Sequence, residues 1–288
     1  MNLMHGFTLL LKHNKDGSYA TRSARHKVLT LVDKELRAGG FKQLTLENIK
    51  GRHVRFLVDS WHQKGLSAAT IKNRLSHIRW AFERAGRGQC IEKDNAAYGV
   101  ANRVFLNNAV NKAKELDAQK LSQISDKGLQ LSLCLQAAFG LRREECLKFR
   151  PSVAIKEGQL ELAGSWTKGG KPRTIPIRTD EQRELLKEVA AHAGRGSMIP
   201  ADKNYYQHLK LYENECARVG LNNNHGLRHE YAQSRYRELT GWDAPKAGGP
   251  TSKELTKEQR AADYAARMTI SVELGHEREA ITVAYLGR

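Results

Sequence analysis

Apolar positions recur at helical spacing along most of this chain, and the breaks between the runs divide it. Residues 3–12 form a short apolar segment closed by the polar turn Asn14-Lys15-Asp16-Gly17-Ser18. A helix is predicted from about Thr21 to Ala38, with Val28, Leu29, Leu31, Val32 and Leu36 on its buried face and Gly39-Gly40 as its stop. A further helix spans about 50–64, where Val54, Leu57, Val58 and Trp61 share one side and Gly65 ends the run. Ser67 has the residue type of an N-cap for the next helix, whose Ile71, Leu75, Ile78 and Phe82 point to a core. Lys72, Ser76 and Arg79 fall together on another face of that helix. These segments predict a compact bundle of four or five helices.

The pattern loosens over residues 86–110, with Gly86, Gly88, Gly99 and several asparagines, and an interdomain connection is expected there. From Leu129 to Phe139 the sequence is nearly all apolar, which predicts a buried helix broken by Gly140. Two short strands follow at about 159–163 and 172–177, with a tight hairpin turn expected at Gly169-Gly170. Helices are then expected at about 180–193, 203–219, 226–239, 256–273 and 278–285. The whole reads as mainly α: a helical domain over residues 1–105 and an α+β domain over 106–288 with a small β-sheet.

Charge changes this picture from a fold to a partner. The 288 residues carry a net charge of +17. Residues 1–110 hold 19 Lys+Arg against 8 Asp+Glu, so +11 of that excess lies in the first domain. Such an excess favours a polyanionic partner, and nucleic acid is the commonest. The row Lys72, Ser76 and Arg79 offers two cations and a hydroxyl to DNA phosphates, although an ordinary solvated face has the same composition. None of the four cysteines forms a Cys-x-x-Cys pair, so no zinc site is expected. No apolar run approaches the ~18 residues of a membrane span. The start of the chain lacks a signal-peptide pattern. A cytoplasmic, nucleoid-associated protein without membrane contact is expected.

The candidate chemistry lies in the second domain. Gly140-Leu141-Arg142-Arg143-Glu144-Glu145, His225-Gly226-Leu227-Arg228 and Leu274-Gly275-His276 recur in that order, and Tyr285 follows His276 by nine residues. Cutting a phosphodiester concentrates negative charge on the non-bridging oxygens. Planar, permanently charged guanidiniums suit that charge, and imidazoles can donate hydrogen bonds or move protons near neutral pH. A tyrosine hydroxyl can attack and form a covalent intermediate. An unperturbed tyrosine ionises only near pH about 10, so neighbouring cations must help.

These segments resemble the tyrosine recombinases, the phage integrase family. Gly140-Leu141-Arg142-x-x-Glu145-x-Leu147 is similar to that family's first arginine motif. His225-x-x-Arg228, followed by His229, is similar to the second. Leu274-Gly275-His276 with Tyr285 is similar to the third. Thr167-Lys168-Gly169-Gly170-Lys171-Pro172-Arg173 resembles the β-hairpin that carries the family's catalytic lysine, with Lys168 in that place.

The resemblance implies the tyrosine recombinase fold, with an N-terminal core-binding bundle and a catalytic domain. It implies a site-specific recombinase that integrates or excises a mobile element. Arg142 and Arg228 would clamp the scissile phosphate and Tyr285 would attack it, leaving a 3′-phosphotyrosyl link. Lys168 would protonate the leaving 5′ oxygen, His225 would assist proton transfer from the tyrosine, and His276 would bond a non-bridging oxygen. Glu145 would hold the shape of the site, with His229 supporting it from behind. Lys171 and Arg173 are candidates for phosphate contact or for a plain hairpin surface. The implied partners are double-stranded core sites, three further copies in a tetramer on DNA, and accessory DNA-bending or directionality factors. No cofactor or metal is implied. Recognition of core sites alone, without an arm-type domain, is expected.

The same residue types would serve a dimer resolvase, a DNA invertase or a type IB topoisomerase. A decayed or architectural DNA-binding protein would carry the charge without the reaction. Two features depart from the family pattern. Arg228 and His276 are 48 residues apart, longer than usual, through a turn-rich stretch at 241–250 and a charged helix. Only three residues follow Tyr285, which leaves open whether it serves its own subunit's site or a neighbour's.

Overall fold

A computed structural model describes residues 2–102 and 110–288. The chain divides into two compact units, Met1–Val104 and Phe105–Arg288. The domain boundary expected at 105/106 lies outside the described residues.

The first unit is built on four helices, α1 (Leu3–His13), α2 (Tyr19–Ala38), α3 (Gly51–Gln63) and α4 (Ala68–Arg84). The apolar segment at the start of the chain is itself helical, because Asn2 caps it by accepting from the His5 amide at 2.9 Å. Ser67 caps α4, accepting from Thr70 N at 3.3 Å. The predicted apolar faces meet in one core, where Leu29, Val32, Val54, Trp61, Ile71 and Leu75 are completely buried. Each such side chain contributes roughly 1.5–3 kcal/mol by leaving water. The polar row of α4 stays outside that core. Ser76 is exposed, Lys72 reaches Asn102 Oδ1 at 3.3 Å, and Arg79 donates to Glu92 O and Asn95 Oδ1 at 2.9 and 3.0 Å.

The second unit is organised around the apolar helix. After α5 (Ala118–Ser122), α6 (Lys127–Phe139) is packed by α9 (Asp180–Ala193) and α11 (Gly226–Thr240). Two short helices, α7 (Arg143–Leu147) and α8 (Pro151–Ala154), lead into a three-stranded antiparallel sheet of β1 (Ile155–Lys156), β2 (Gln159–Leu162) and β3 (Arg173–Pro176). Leu160 pairs with Ile175 and Leu162 with Arg173. Helix α10 (Tyr205–Arg218) precedes α11, and α12 (Lys257–Glu273) packs on both α11 and β3. The last element is α13 (Val283–Leu286). No described helix is long and apolar enough to cross a membrane. The architecture is mainly α with one small sheet.

Three local expectations change. The hairpin is not tight. Residues 163–172 separate β2 from β3 and fold back on themselves, with Thr167 Oγ1 donating to Lys171 O at 2.6 Å. Gly169 and Gly170 both hold positive φ in this loop, 87° and 73°, so they serve a wider turn than the pattern suggested. A third strand, β1, is too short to show alternation. The helix expected at 278–285 is a 3-10 turn at Glu279–Thr282 followed by α13. Thr282 Oγ1 donates to Glu279 O at 2.7 Å, three residues back.

Candidate active site

The base of the site is an ion cluster on Glu145. Arg142 stands immediately before α7, and Glu145 lies three residues on, where an acid can cap the helix start. Glu145 Oε2 accepts from the Arg142 amide at 2.7 Å, and Oε1 accepts from Arg142 Nη1 at 2.7 Å. Arg173 completes the cluster, giving Nη1 to Oε1 and Nη2 to Oε2, both at 2.7 Å. Burial opposes the charge on Glu145, but Arg173 and then Arg142 outweigh it, and the carboxyl is held down to about 2. This corrects the expectation for Arg173. In β3 the alternation turns Arg173 and Ile175 inward, so Arg173 is buried and both its terminal nitrogens are engaged. It is not a hairpin surface group; it braces the carboxylate that braces Arg142.

The second arginine arrives from α11. His225 precedes the helix and Arg228 lies three residues on, so the two fall on neighbouring positions of one turn. Arg228 is 1 % exposed, with Nη1 donating to Gly140 O and Nη2 to Leu274 O. Arg142 Nη2 donates to the same Leu274 oxygen at 3.1 Å. One carbonyl therefore joins the two guanidiniums, and the three sequence motifs meet on it. The carbonyl is presented by the end of α12, where His276 N returns to Ser271 O and Gly275 N to Val272 O, both at 2.8 Å. Gly275 has φ +69°, and a Cβ there would stand 2.8 Å from Arg173 Nη1. A side chain at that turn would be strained and would displace Arg173. Desolvation lowers the pKa of Arg228 most, Tyr285 opposes it and Arg142 and Arg173 add to it, giving about 10. Arg228 thus remains a cation at neutral pH although it is itself nearly closed to water.

Tyr285 lies on this floor. Its Oη accepts from Arg228 Nε at 3.2 Å and is 3.5 Å from His276 Nε2. The ring is 4.8 Å from that of His229, 6.2 Å from His276 and 6.3 Å from His225, centroid to centroid. Tyr285 is 6 % exposed. The hydroxyl is therefore seated among arginines and histidines of its own chain. His276 is half-buried, and desolvation, then Arg228, Arg142, Arg173 and Lys168, hold it down at about 4. His229 is buried and also lies at about 4, through desolvation first and then His225, Lys246, Lys112 and Arg228. His225 is partly open to solvent. Desolvation on its packed side lowers its pKa, assisted by Arg228, Arg142 and Lys112. His229 and His276 are therefore neutral imidazoles at pH 7, and His225 is shifted in the same direction.

The structure thus brings together Arg142, Glu145, His225, Arg228, His229, His276 and Tyr285. Lys168 is exposed on the β2–β3 connection, and its charge reaches His276. Lys171 is exposed and pairs with Glu277, beside His276. Lys72, Ser76 and Arg79 belong to the first unit, apart from this cluster in the chain's division. Sequence reasoning missed the residues that hold the Tyr285 backbone. Gln233 Nε2 donates to Tyr285 O at 3.0 Å, Lys246 Nζ to Ala284 O at 2.8 Å and Arg267 Nη1 to Gly287 O at 2.9 Å. Gln233 and Arg267 are polar residues on the buried sides of α11 and α12, which names no partner, and Lys246 lies on neither helix.

Comparison with known proteins gives this geometry a context. The family model described as "Phage integrase, N-terminal" matches residues 2–91, and that described as "Integrase" matches residues 100–234. His276 and Tyr285 lie beyond both matches. The chain is 27% identical over 175 residues to the tyrosine recombinase XerC of Stutzerimonas stutzeri, a match covering 58% of this chain. That match spans about half of the recombinase, 55%. Among solved structures, a lambda integrase (75-356) dimer bound to a COC′ core site has a TM-score of 0.63 at 18% identity, covering 98% of this chain and 97% of that one. The Tn1549 transposon integrase in complex with circular intermediate DNA has a TM-score of 0.59 at 14% identity, covering 100% and 96%. A lambda integrase tetramer bound to a Holliday junction has a TM-score of 0.56 at 18% identity, covering 81% and 70%. At these identities the likeness is one of fold.

Proposed function

The chain belongs to the tyrosine recombinase family, and on that premise we propose that it is a site-specific DNA recombinase that cuts and rejoins duplex DNA through Tyr285. One observation carries the reading: the Tyr285 hydroxyl lies on Arg228 Nε, and Leu274 O ties that arginine to Arg142.

Each terminal nitrogen of Arg142 and Arg228 bears two N–H groups, and in each case one is engaged with protein. The other is available to the non-bridging oxygens of a phosphate. Guanidiniums held in place by protein partners stabilise the developing charge without reorganising. In the reaction Tyr285 Oη bonds to phosphorus as the bond from phosphorus to the 5′ oxygen breaks. The tyrosine proton passes to an imidazole, and Lys168 supplies a proton to the leaving oxygen. His276 Nε2 lies 3.5 Å from the hydroxyl, which makes His276 a candidate for the proton as well as for the phosphate oxygen. The products are a 3′-phosphotyrosine and a free 5′ hydroxyl. Bond energy is conserved, so rejoining to the same or another strand needs no nucleotide.

The substrate of this reading is a pair of core sites bounding a mobile element, integrated or excised by four protomers. The first unit would act as the core-binding domain, with Lys72, Ser76 and Arg79 on phosphates and Lys171 beside the cleavage site. Tyr285 would act in its own subunit's site.

The test uses a nicked duplex carrying junction DNA from the flanks of the gene. Wild type should form an adduct that survives denaturing electrophoresis, and Tyr285→Phe should form none. An adduct that persists in Tyr285→Phe removes the tyrosine from its role. Mixing Tyr285→Phe with Arg228→Ala protomers should restore nothing; restored cleavage would move the tyrosine to a neighbour's site. Salt-sensitive binding with no adduct on any junction would mark a non-catalytic DNA-binding protein.

A further inference from the structure

Helix α13 has four residues, far below the length at which a helix is stable by itself. Its last carbonyls have no partners within the helix and must be met from outside. Two of them, Ala284 O and Tyr285 O, and the carbonyl of Gly287 just beyond the helix are met by three side chains from three different places. Lys246 comes from the stretch that lengthens the spacing between Arg228 and His276, and it takes Ala284 O. Arg267, 1 % exposed on α12 and paired with Asp263 at 2.7 Å, takes Gly287 O. Gln233, 4 % exposed on α11, takes Tyr285 O. Gln233 is itself held at both ends of its amide by Asn111, which accepts from Nε2 at 2.8 Å and donates to Oε1 at 3.1 Å.

We infer that Gln233, Lys246 and Arg267 form a carbonyl clasp that positions the nucleophile, with Gln233, locked by Asn111, as its central arm. The hydroxyl end of Tyr285 is set by Arg228, and the backbone end by the clasp. A tyrosine fixed at both ends keeps its oxygen in line with a phosphate, whereas a misplacement of about 1 Å can cost on the order of 10²-fold in rate. The lengthened segment thereby gains a role, since it delivers Lys246 to the nucleophile's own helix. None of the three side chains touches the reacting atoms, so they are positioning residues. The inference rests on the reading of Tyr285 as nucleophile.

Gln233→Glu in the full chain separates positioning from mere structure. An ionised carboxylate cannot donate to Tyr285 O, but a protonated one can. Single-turnover adduct formation on the nicked junction duplex is measured from pH about 5 to about 9, relative to wild type at each pH, with duplex binding measured alongside. At the alkaline end the variant should be slower by at least about tenfold at unchanged binding, and it should approach wild type as the pH falls. Lys246→Met should slow the same step about tenfold and Lys246→Arg should restore it. A Gln233→Glu rate equal to wild type at high pH, or a defect that acid does not relieve, overturns the clasp alone. If wild type forms no adduct on any junction, the recombinase reading falls, and the clasp as its positioning device falls with it.

Discussion

Two groups of cations, one in each unit, are held in opposite ways. In the first, the cations of the α4 row stay at the surface and bond at most to neutral oxygens, as Lys72 does with Asn102 and Arg79 with Glu92 O and Asn95. In the second, Arg142, Arg173 and Arg228 are drawn inside and fixed by one carboxylate and two carbonyls. Surface charges add up to a field, and each is replaceable. Buried charges define directions, and each depends on its partner. An exposed ion pair contributes about 0–1 kcal/mol, whereas breaking a buried one costs about 3–5 kcal/mol. The first arrangement suits holding a polyanion anywhere along its length, the second suits holding one phosphate in one pose.

Removing the shared carboxylate should give the largest effect. Glu145→Ala leaves Arg173 buried and unpaired and loosens Arg142. The second unit should lose about 3–5 kcal/mol of stability by urea denaturation. A loss below about 1 kcal/mol would mean that the cluster behaves like a surface pair. Arg228→Lys comes next. A single ammonium cannot reach Gly140 O, Leu274 O and Tyr285 Oη together, so adduct formation should fall by about 10²–10³-fold while duplex affinity changes little. If affinity falls in parallel, Arg228 belongs with the surface field.

Acid should weaken the second unit more gently. The folded pKa of His229 is about 4, below the ordinary histidine value of 6.5. In the unfolded chain the ring takes its proton as pH falls through about 6.5, whereas in the folded chain it waits until about 4. The unfolded state therefore binds more protons across that window, and stability is lost as pH drops from about 6.5 toward 4. The effect is on the order of 2 kcal/mol for His229, and His276 acts in the same direction. Melts at pH 7.5, 6 and 5 should show the loss in the second unit, and His229→Gln should shrink it. A melt that does not move over this range would place these rings in contact with water.

The contrast also explains what the amino-acid sequence disclosed. The helices of the first unit were legible because Ile71, Leu75, Ile78 and Phe82, and their counterparts in α2 and α3, repeat with one face inward. Arg142, Arg228, His276 and Tyr285 were legible as a set because residue types and local spacing carry that chemistry. The surface alternative for Arg173 arose because a lone strand residue beside a loop looks like surface; its inward turn is settled by β3 pairing with β2. Gln233, Lys246 and Arg267 were not legible at all. Their partners are backbone carbonyls 20 to 52 residues away, and a carbonyl has no signature in a sequence. The wide loop at 163–172 was hidden for a related reason: two adjacent glycines look alike in a tight hairpin and in a wider turn.

The smallest predicted effects lie on α4, and they test whether the surface field is additive. Lys72→Ala should lower duplex affinity about equally for all sequences and reduce the salt dependence of binding by about one counterion. Ser76→Ala should change less, because a hydroxyl displaces no counterion. Arg79 is the informative member. Its Nε and Nη2 already serve Glu92 O and Asn95, so the fold has a use for it without DNA. If Arg79→Ala lowers the salt slope as Lys72→Ala does, the row acts as one phosphate-binding face. If it lowers the melting temperature of the first unit and leaves the slope unchanged, Arg79 is a small version of what the second unit does with its arginines: a cation kept for shape.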